Sequence, residues 1–409
     1  MAQIAPFKAI RPTASKAASV AAKPYDVLSS EEARKEVKDN PDSFLHVTKS
    51  EIDLPPDVHV YSRLVYDKAR ENLEHMLLKG VLIKEEQPCY YIYQLTMGKR
   101  KQTGLVCVSS VDDYEKDVIK KHEHTRPEKE KDRISHISIT GAQTGNVFLA
   151  YKSDIEVDKL IDAWKIVHDP IYDFTADDHV KHKIWIVNDA KVINEITGLF
   201  LTKIEHTYIA DGHHRAASAA KVRESLGKEA TGDASWFLTT LFPSNQLHIM
   251  DYNRLAKDLN DNTAAEFMSA LMDDFMITLS NEPVSPSELH EFGFYCNHQW
   301  YILTARAGTW TNDPIGVLDV SILSNNILNK LLDIKDQRTD KRIDFVGGIR
   351  GLKELEKRVD SGEMAAAFSL YPVSIQQLFD IADSGNVMPP KSTWFEPKLR
   401  DGLLTHLIQ

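Results

Sequence analysis

Apolar side chains recur along the chain with periods that predict helices and strands in turn. Over residues 61–78 they return every three or four positions, which indicates a helix with one buried face, and Gly80 ends the run. The apolar runs at 90–95 and 104–108 flank a turn at 97–99 and predict a β-hairpin. Helices and strands keep alternating towards the C-terminus, so we expect an α+β (mixed α/β) fold.

The later elements follow the same periodicities and suggest three parts. Strands are predicted at 147–151, 183–187, 207–210, 236–242, 247–250, 300–304 and 364–370. Helices are predicted at 155–167, 190–201, 263–274, 320–333, 350–358 and 374–383. We expect an N-terminal α+β segment at 1–115, a catalytic core at 116–255 and a C-terminal α+β domain at 256–409. The tail of the last domain either closes over the site or docks on the body of the protein.

Composition and charge narrow the class of protein. A chain of 409 residues is long enough for two or three domains, and 42% apolar residues supply an ordinary core. The net charge of −11 argues against sequence-independent binding of nucleic acid, which needs a basic face. No signal peptide or membrane-span pattern is recognisable, and the three dispersed cysteines suit a reducing compartment. We expect a cytoplasmic protein that binds small molecules rather than nucleic acid or membrane, with a homodimer as an open alternative to a monomer.

The string Asp211-Gly212-His213-His214-Arg215 carries the strongest chemical signal. It joins a short apolar strand to an alanine-rich segment of high helix propensity, so the strand is expected to turn into a helix at the glycine. The first N–H groups of such a helix have no partners within it and, with the helix dipole, attract phosphate. Arg215 can grip two phosphate oxygens, and Asp211 is placed to hold Mg²⁺ or orient a histidine. The alternative is structural, with Asp211 capping the helix and the histidines hydrogen-bonding nearby loops.

A second polar stretch runs over residues 120–133 and starts directly after an apolar pair. Glu123 is a candidate general base for a substrate hydroxyl. Thr125, Arg126 and Lys129 are candidate ligands for nucleotide or phosphate. The alternative is a solvated, charged helix, which is what most charge runs are.

Two histidine-containing segments leave metal binding open. His122-Glu123-His124 lacks the helical spacing of a zinc protease. Asp178-His179-x-x-His182 is more typical of a polar strand edge than of a metal site. Neither segment predicts a metal site by itself.

Several segments together resemble one known family, catalogued as domain of unknown function 1015, over residues 4 to about 407. They are Ala5-Pro6-Phe7-Lys8-Ala9-Ile10-Arg11-Pro12, Pro24-Tyr25-Asp26-Val27, Asn40-Pro41-x-Ser43-Phe44-Leu45-His46-Val47, Lys121-His122-Glu123-x-Thr125-Arg126-Pro127, Ala210 to Arg215, and Met388-Pro389-Pro390-Lys391-Ser392-Thr393.

The string from Asp211 to Arg215 is also similar to the motif of the ParB-like superfamily, which includes partition CTPases, sulfiredoxin and free L-serine kinases. This resemblance implies a ParB/sulfiredoxin-like nucleotide-binding core within residues 116–255, with additional α+β segments around it. It also implies transfer of phosphate between ADP or ATP and L-serine, or the reverse reaction from O-phosphoserine in serine biosynthesis.

The implied mechanism assigns a role to each candidate residue. Mg²⁺ is expected on Asp211, with Gly212 and the following helix start receiving the nucleotide phosphates. Glu123 is expected to exchange the serine hydroxyl proton, and Arg215 to stabilise the moving phosphoryl group. His213 and His214 are expected to donate to phosphate or shuttle a proton. The alternatives are a phosphoserine phosphatase that uses the same pocket and a non-catalytic, ParB-like nucleotide-binding regulator.

Overall fold

The computed structural model describes residues 1–227 and 232–408. The chain forms two compact units: unit 1 comprises Met1–Leu247 together with the C-terminal segment from Pro397, and unit 2 comprises His248–Glu396. Both units mix helices and strands, which confirms the predicted α/β class. Among the described residues, no helix has the length and apolar character needed to cross a membrane.

The strands are numbered in chain order. They are β1 (Ile4–Ala5), β2 (Ile10–Pro12), β3 (Leu82–Lys84), β4 (Tyr90–Met97), β5 (Arg100–Ser110), β6 (Ile119–Lys120), β7 (Ala142–Gln143), β8 (Val147–Tyr151), β9 (Tyr172–Thr175), β10 (Lys181–Val187), β11 (Thr207–Asp211), β12 (Trp236–Pro243), β13 (Ile249–Met250), β14 (Tyr252–Ala256), β15 (Phe275–Ser280), β16 (Glu291–Cys296), β17 (Gln299–Ala305), β18 (Ile343–Gly347), β19 (Ala366–Leu370), β20 (Trp394–Phe395) and β21 (His406–Leu407).

The α-helices are numbered in the same way. They are α1 (Ala17–Val20), α2 (Ser30–Glu36), α3 (Leu45–Thr48), α4 (Arg63–Leu78), α5 (Val111–Glu115), α6 (Pro127–Thr140), α7 (Ile155–Val167), α8 (Ala190–Lys203), α9 (His213–Leu226), α10 (Ala264–Asp274), α11 (Asp319–Leu323), α12 (Leu352–Asp360) and α13 (Ile375–Asp383). The predicted helix at 320–333 is shorter than expected, because α11 passes into a π-helical turn at Ser324–Asn329.

A nine-stranded sheet forms the centre of unit 1. Its strand order is β6-β11-β8-β12-β5-β4-β10-β9, with β1 added beside β5. The β4–β5 pair is the predicted hairpin. The sheet is mixed, since β11 runs parallel to β6 and β12 runs parallel to β8 while the other pairs are antiparallel. Strand β11 therefore lies near one edge, and its last residue, Asp211, leads directly into α9.

Strands on both sides of residue 115 share this sheet, so the first two expected parts of the chain lie in one unit. The C-terminal segment also belongs there, because β21 pairs with β7 in antiparallel register. Unit 2 begins at His248, close to the expected boundary at 255. Its main sheet is antiparallel, in the order β15-β17-β16-β19-β14-β18.

The core of unit 1 lies between the large sheet and helices α7, α8 and α9. Long apolar side chains fill it on the α7 and α8 side, among them Trp164 and Phe200. Helix α9 contributes small residues instead, with Ala216, Ala219 and Ala220 buried. Small side chains let the helix backbone lie close to its neighbours, so the start of α9 is held firmly against the sheet.

Truncating Phe200 tests this core. Phe200 is fully buried, whereas the next residue, Leu201, is 44% exposed on the same helix. We expect Phe200→Ala to lower the free energy of unfolding by about 3–5 kcal/mol because it leaves a cavity. The matched change Leu201→Ala should cost no more than about 0.5 kcal/mol. Urea unfolding, monitored by circular dichroism, compares the two variants. Equal losses in the free energy of unfolding would show that α8 is not packed as described.

Candidate functional site

The turn between β11 and α9 places the string from Asp211 to Arg215. Gly212 has φ +102°, a left-handed conformation that disfavours residues with a side chain. A Cβ on it would also lie 3.3 Å from the Cα of Val147. Gly212 is also the N-cap residue of helix α9, and it supplies no side-chain cap to the first turn.

His213 is buried at the start of α9 and faces two residues of the preceding loop. Its Nε2 accepts a hydrogen bond from the backbone N–H of His122 at 3.4 Å. Its Nδ1 lies 4.0 Å from Oε2 of Glu123. Since Nε2 accepts, the proton of the neutral ring is on Nδ1 and points towards the carboxylate. Burial and the neighbouring His122 ring lower the pKa of His213 well below its ordinary value. A neutral His213 is suited to orienting Glu123 rather than to shuttling protons near pH 7.

His122 completes this pair of rings. The two imidazoles meet edge to face, with ring centroids 4.6 Å apart. Burial lowers the pKa of His122 to about 4, although the carboxylate of Asp211 works in the opposite direction. Two neutral rings therefore separate Glu123 from the interior of the unit.

His214 is held by the same loop. Its Nε2 accepts from the backbone N–H of Arg126 at 2.9 Å. One turn later in α9, Ser218 donates its hydroxyl to the carbonyl of Glu130 at 3.2 Å. Helices α6 and α9 thus start side by side, and the predicted second stretch is brought to the predicted motif.

Thr125 and Lys129 have other partners. The hydroxyl of Thr125 donates to Oε2 of Glu130 at 2.7 Å. The ammonium of Lys129 donates to the hydroxyl of Tyr61 at 2.8 Å and lies over that ring. Their side chains therefore stabilise the first turn of α6 and its contact with the segment before α4.

Arg215 reaches back across the turn. Its guanidinium donates to the carbonyl of Asn146 and lies 3.7 Å from Oδ2 of Asp26. Burial opposes its charge, but the carboxylates of Asp26, Asp211 and Asp401 outweigh burial and raise its pKa. Arg215 is therefore a permanent, largely buried cation beside the N-terminus of α9.

The C-terminal segment contributes a cation to the same turn. The ammonium of Lys398 lies 3.1 Å from Oδ2 of Asp211. The expected magnesium ligand is thus already paired with a positive charge. Among the residues that the structure describes, no group of three or more His, Cys, Asp or Glu side chains could hold a metal ion. Asp178 pairs with Arg400, and Nδ1 of His182 bonds the hydroxyl of Tyr93 at 2.8 Å.

A small cleft opens beside Arg215, and Tyr25, Arg133 and Asp401 are among the residues that line it. The guanidinium of Arg133, from α6, stacks on the ring of Tyr25 at 3.9 Å and pairs with Asp132 at 2.7 Å. The guanidinium of Arg215 lies 5.9 Å from the same ring. Two buried guanidinium groups therefore flank one aromatic side chain in the wall of the cleft.

Asp401 adds a buried carboxyl to this wall. A Cβ on Gly145 would lie 3.1 Å from its Oδ1 and 3.5 Å from Cδ of Arg215, so the glycine makes room for both side chains. Burial raises the pKa of Asp401 to about 7, while Arg215, Arg133 and a hydrogen bond from the Tyr25 backbone favour the charged form.

The sequence also matches a known family. The family model described as Protein of unknown function (DUF1015) matches residues 4–321. The chain belongs to this family. No curated protein gives a significant match to this chain.

Solved structures show distant similarity to this DUF1015 chain. A conserved hypothetical protein from Pyrococcus furiosus shares 13% identity with a TM-score of 0.37, over 74% of this chain and 95% of that chain. A free serine kinase in complex with AMP shares 12% identity with a TM-score of 0.37, over 73% and 92%. A C-terminally truncated SbnI from Staphylococcus aureus shares 11% identity with a TM-score of 0.33, over 74% and 87%. At such TM-scores these likenesses carry no argument about activity, and the ParB/sulfiredoxin-like core stays a prediction.

The sequence did not identify four residues of the candidate site as site residues. Tyr25 stands in a segment that carried the family resemblance, but nothing marked it as a site residue. Arg133 was hidden at the end of a charge run, although a buried face of α6 would have selected it. Lys398 ends the tail segment that was expected to close over the site or dock on the body, and the only signal for Asp401 was the charged pair Arg400-Asp401.

The buried histidines should make stability fall in acid. His136, in the wall of the cleft, donates Nε2–H to the carbonyl of Val47 at 3.0 Å, and burial lowers its pKa to about 4. The unfolded chain binds the proton near pH 6.5, so stability is present above that pH and is lost as pH falls towards 4. We expect His136→Gln to reduce this acid-induced loss in the free energy of unfolding by up to about 3 kcal/mol.

Urea unfolding between pH 4 and 7.5 measures the effect. His75 is exposed, so His75→Gln should keep the wild-type slope. An unchanged slope in His136→Gln would show that His136 is not the neutral, buried donor described.

Proposed function

We propose that this DUF1015 protein is a phosphotransferase that moves a phosphoryl group between a nucleotide and the hydroxyl of L-serine. The observation that carries the proposal is the position of Arg215, a largely buried cation directly beside the N-terminus of α9. The resemblance of residues 211–215 to the motif of free L-serine kinases supports the substrate. The proposal covers both directions, including transfer from O-phosphoserine.

The start of α9 is suited to hold the phosphate chain of the nucleotide. Its first N–H groups and the positive end of its dipole attract anions. The guanidinium of Arg215, folded back over Gly212, adds donors at the same point. In phosphoryl transfer, such fixed donors stabilise the equatorial oxygens as the bond to the leaving group breaks.

Glu123 is suited to receive the proton of the serine hydroxyl. Its side chain is 39% exposed, so it is accessible from solvent, and Nδ1 of His213 lies 4.0 Å from its Oε2. The hydroxyl oxygen bonds to phosphorus, its proton goes to Glu123, and the bond from phosphorus to the nucleotide oxygen breaks. In the reverse direction, the nucleotide oxygen attacks phosphoserine and Glu123 returns the proton to the serine oxygen. His213 acts here as a positioning residue.

Asp211 is the candidate ligand for Mg²⁺ that enters with the nucleotide. Magnesium is commonly held by one or two carboxylates together with substrate phosphates, which a single aspartate at this turn satisfies. The bound ion would neutralise phosphate charge. Lys398, paired with Asp211, is the chain's own cation at the same position.

Phosphorus NMR of the purified protein tests the proposal directly. We expect exchange of phosphate between serine and phosphoserine when Mg²⁺ and ADP or ATP are present, and none without nucleotide. Release of inorganic phosphate from phosphoserine alone would replace the proposal with a phosphatase that uses the same site. Nucleotide binding without any transfer would favour a regulator instead.

Arg215→Lys tests the central residue while keeping its charge. Lysine cannot make the two-pronged contact, so we expect kcat/KM to fall by about 100- to 1,000-fold. The control is Arg223→Lys on the same helix, where the arginine pairs with Asp112 and Glu115. The control should keep its rate, and both variants should melt near the wild type. Full activity in Arg215→Lys would remove Arg215 from the mechanism.

A further inference from the structure

We propose that the cleft beside Arg215 binds the amino-acid head of the substrate, with the carboxylate of Asp401 receiving the α-ammonium group and the arginines receiving the anionic groups. This inference rests on the proposed function, because it names which part of the substrate occupies the cleft. It assigns to the C-terminal segment a role in substrate selection.

Asp401 lies in the wall of the cleft and has no close ion-pair partner among the described residues. Its side chain is 2% exposed, and the part of the chain that the structure describes places no cation within 4.0 Å of it. A buried carboxylate is stabilised by close cationic partners, so a ligand ammonium would add a direct ion pair to the longer-range attraction of Arg215 and Arg133 and the hydrogen bond from the Tyr25 backbone. The backbone of Asp401 is fixed, since it exchanges two hydrogen bonds with Ala22 at 2.9 and 3.1 Å.

The same wall of the cleft also carries the positive charges. Arg215 comes from α9 and Arg133 from α6, and both approach the ring of Tyr25. Arg133 is partly neutralised by Asp132, whereas Arg215 keeps a weaker contact of 3.7 Å with Asp26. Arg215 therefore has the greater capacity to attract an anionic group of the ligand.

The mixture of charges defines the class of ligand. A site for a simple anion would gain nothing from a buried carboxylate facing it, because like charges repel. A site for a cation would not place two guanidinium groups in the same wall. Carboxylate and guanidinium groups together fit a zwitterion, which serine and phosphoserine both are. Burial leaves little water to screen these charges, so a ligand that lacks one of them should bind less well.

The charged and titratable groups near Asp401 come from several elements. They are Tyr25 and Asp26 in the loop after α1, Tyr93 in β4, Arg133 and His136 in α6, and Arg215 in α9. His136 stays neutral because burial lowers its pKa to about 4. Between pH 6 and 8, the ionisation of Asp401 is therefore the change that alters the charge of the wall.

Binding of two ligands that differ only in the ammonium group tests the inference. The probes are O-phospho-L-serine and N-acetyl-O-phospho-L-serine, titrated calorimetrically into the full chain at pH 8 without nucleotide. We expect the wild type to prefer phosphoserine by about tenfold or more, as for a hydrogen bond to a charged group. Asp401→Asn should reduce this preference to about one, chiefly by weakening phosphoserine.

Asp26→Asn is the matched control. It removes the same charge near the same arginine, but from an exposed side chain. Both ligands should then bind slightly better, with the preference unchanged. An undiminished preference in Asp401→Asn, or its loss in Asp26→Asn, would overturn the inference.

A measurement on the wild type avoids any effect of the substitution on folding. The preference for phosphoserine should grow as pH rises from 6 to 8, because the carboxyl of Asp401 ionises in this range. Both probes carry the same phosphate, so its own titration cancels in the ratio. A preference that stays constant over this range would contradict the inference.

The outcome is separable from that of the proposed function. Phosphate transfer, together with a preference for phosphoserine that does not depend on Asp401, would contradict the inference but support the proposed phosphotransferase activity. An Asp401-dependent preference without transfer to or from any nucleotide would support the binding site and reject the phosphotransferase.

Discussion

Between Asp211 and His213 the chain changes from strand to helix within one residue, and the backbone of Val147 leaves no room for a side chain there. Glycine satisfies this constraint because it adopts φ +102° without strain. The consequence is that α9 starts near the sheet edge directly after a glycine, with Arg215 folded back over the turn. Every proposed contact with phosphate depends on this geometry.

Unit 1 buries charge around that turn in an ordered way. The guanidinium of Arg133 has a carboxylate partner and an aromatic face, and Arg215 has a carbonyl and a more distant carboxylate. The histidines nearby are kept neutral by burial. Because burial keeps His122 and His213 neutral while permanent cations line the cleft, the proposed function assigns proton transfer and anion binding to different side chains.

The fold was predictable where apolar positions recur with a regular period. The candidate site was predictable where its residues are adjacent in sequence. Helix α4, the β4–β5 hairpin and strand β8 have clear periodicity and lie where expected. The string from Asp211 to Arg215 stood out because five polar or flexible residues lie where a strand passes into an alanine-rich helix. By contrast, the sharing of one sheet by strands before and after residue 115 depends on long-range pairing that no local pattern contains. The same is true of Asp401, whose neighbours come from the N-terminal loop, α6 and α9.

Unit 2 lies in the sequence between the turn at Gly212 and the segment that supplies Lys398 and Asp401. Lys398 pairs with an aspartate that precedes it by 187 residues. On the ribosome, α9 and its turn are therefore made long before the residues that complete them. Strands β4 to β12 and the turn at Gly212 are made first, but Lys398 and Asp401 are added only after all of unit 2 has been synthesised. The order of synthesis thus delays a complete candidate site until the segment after unit 2 has been made.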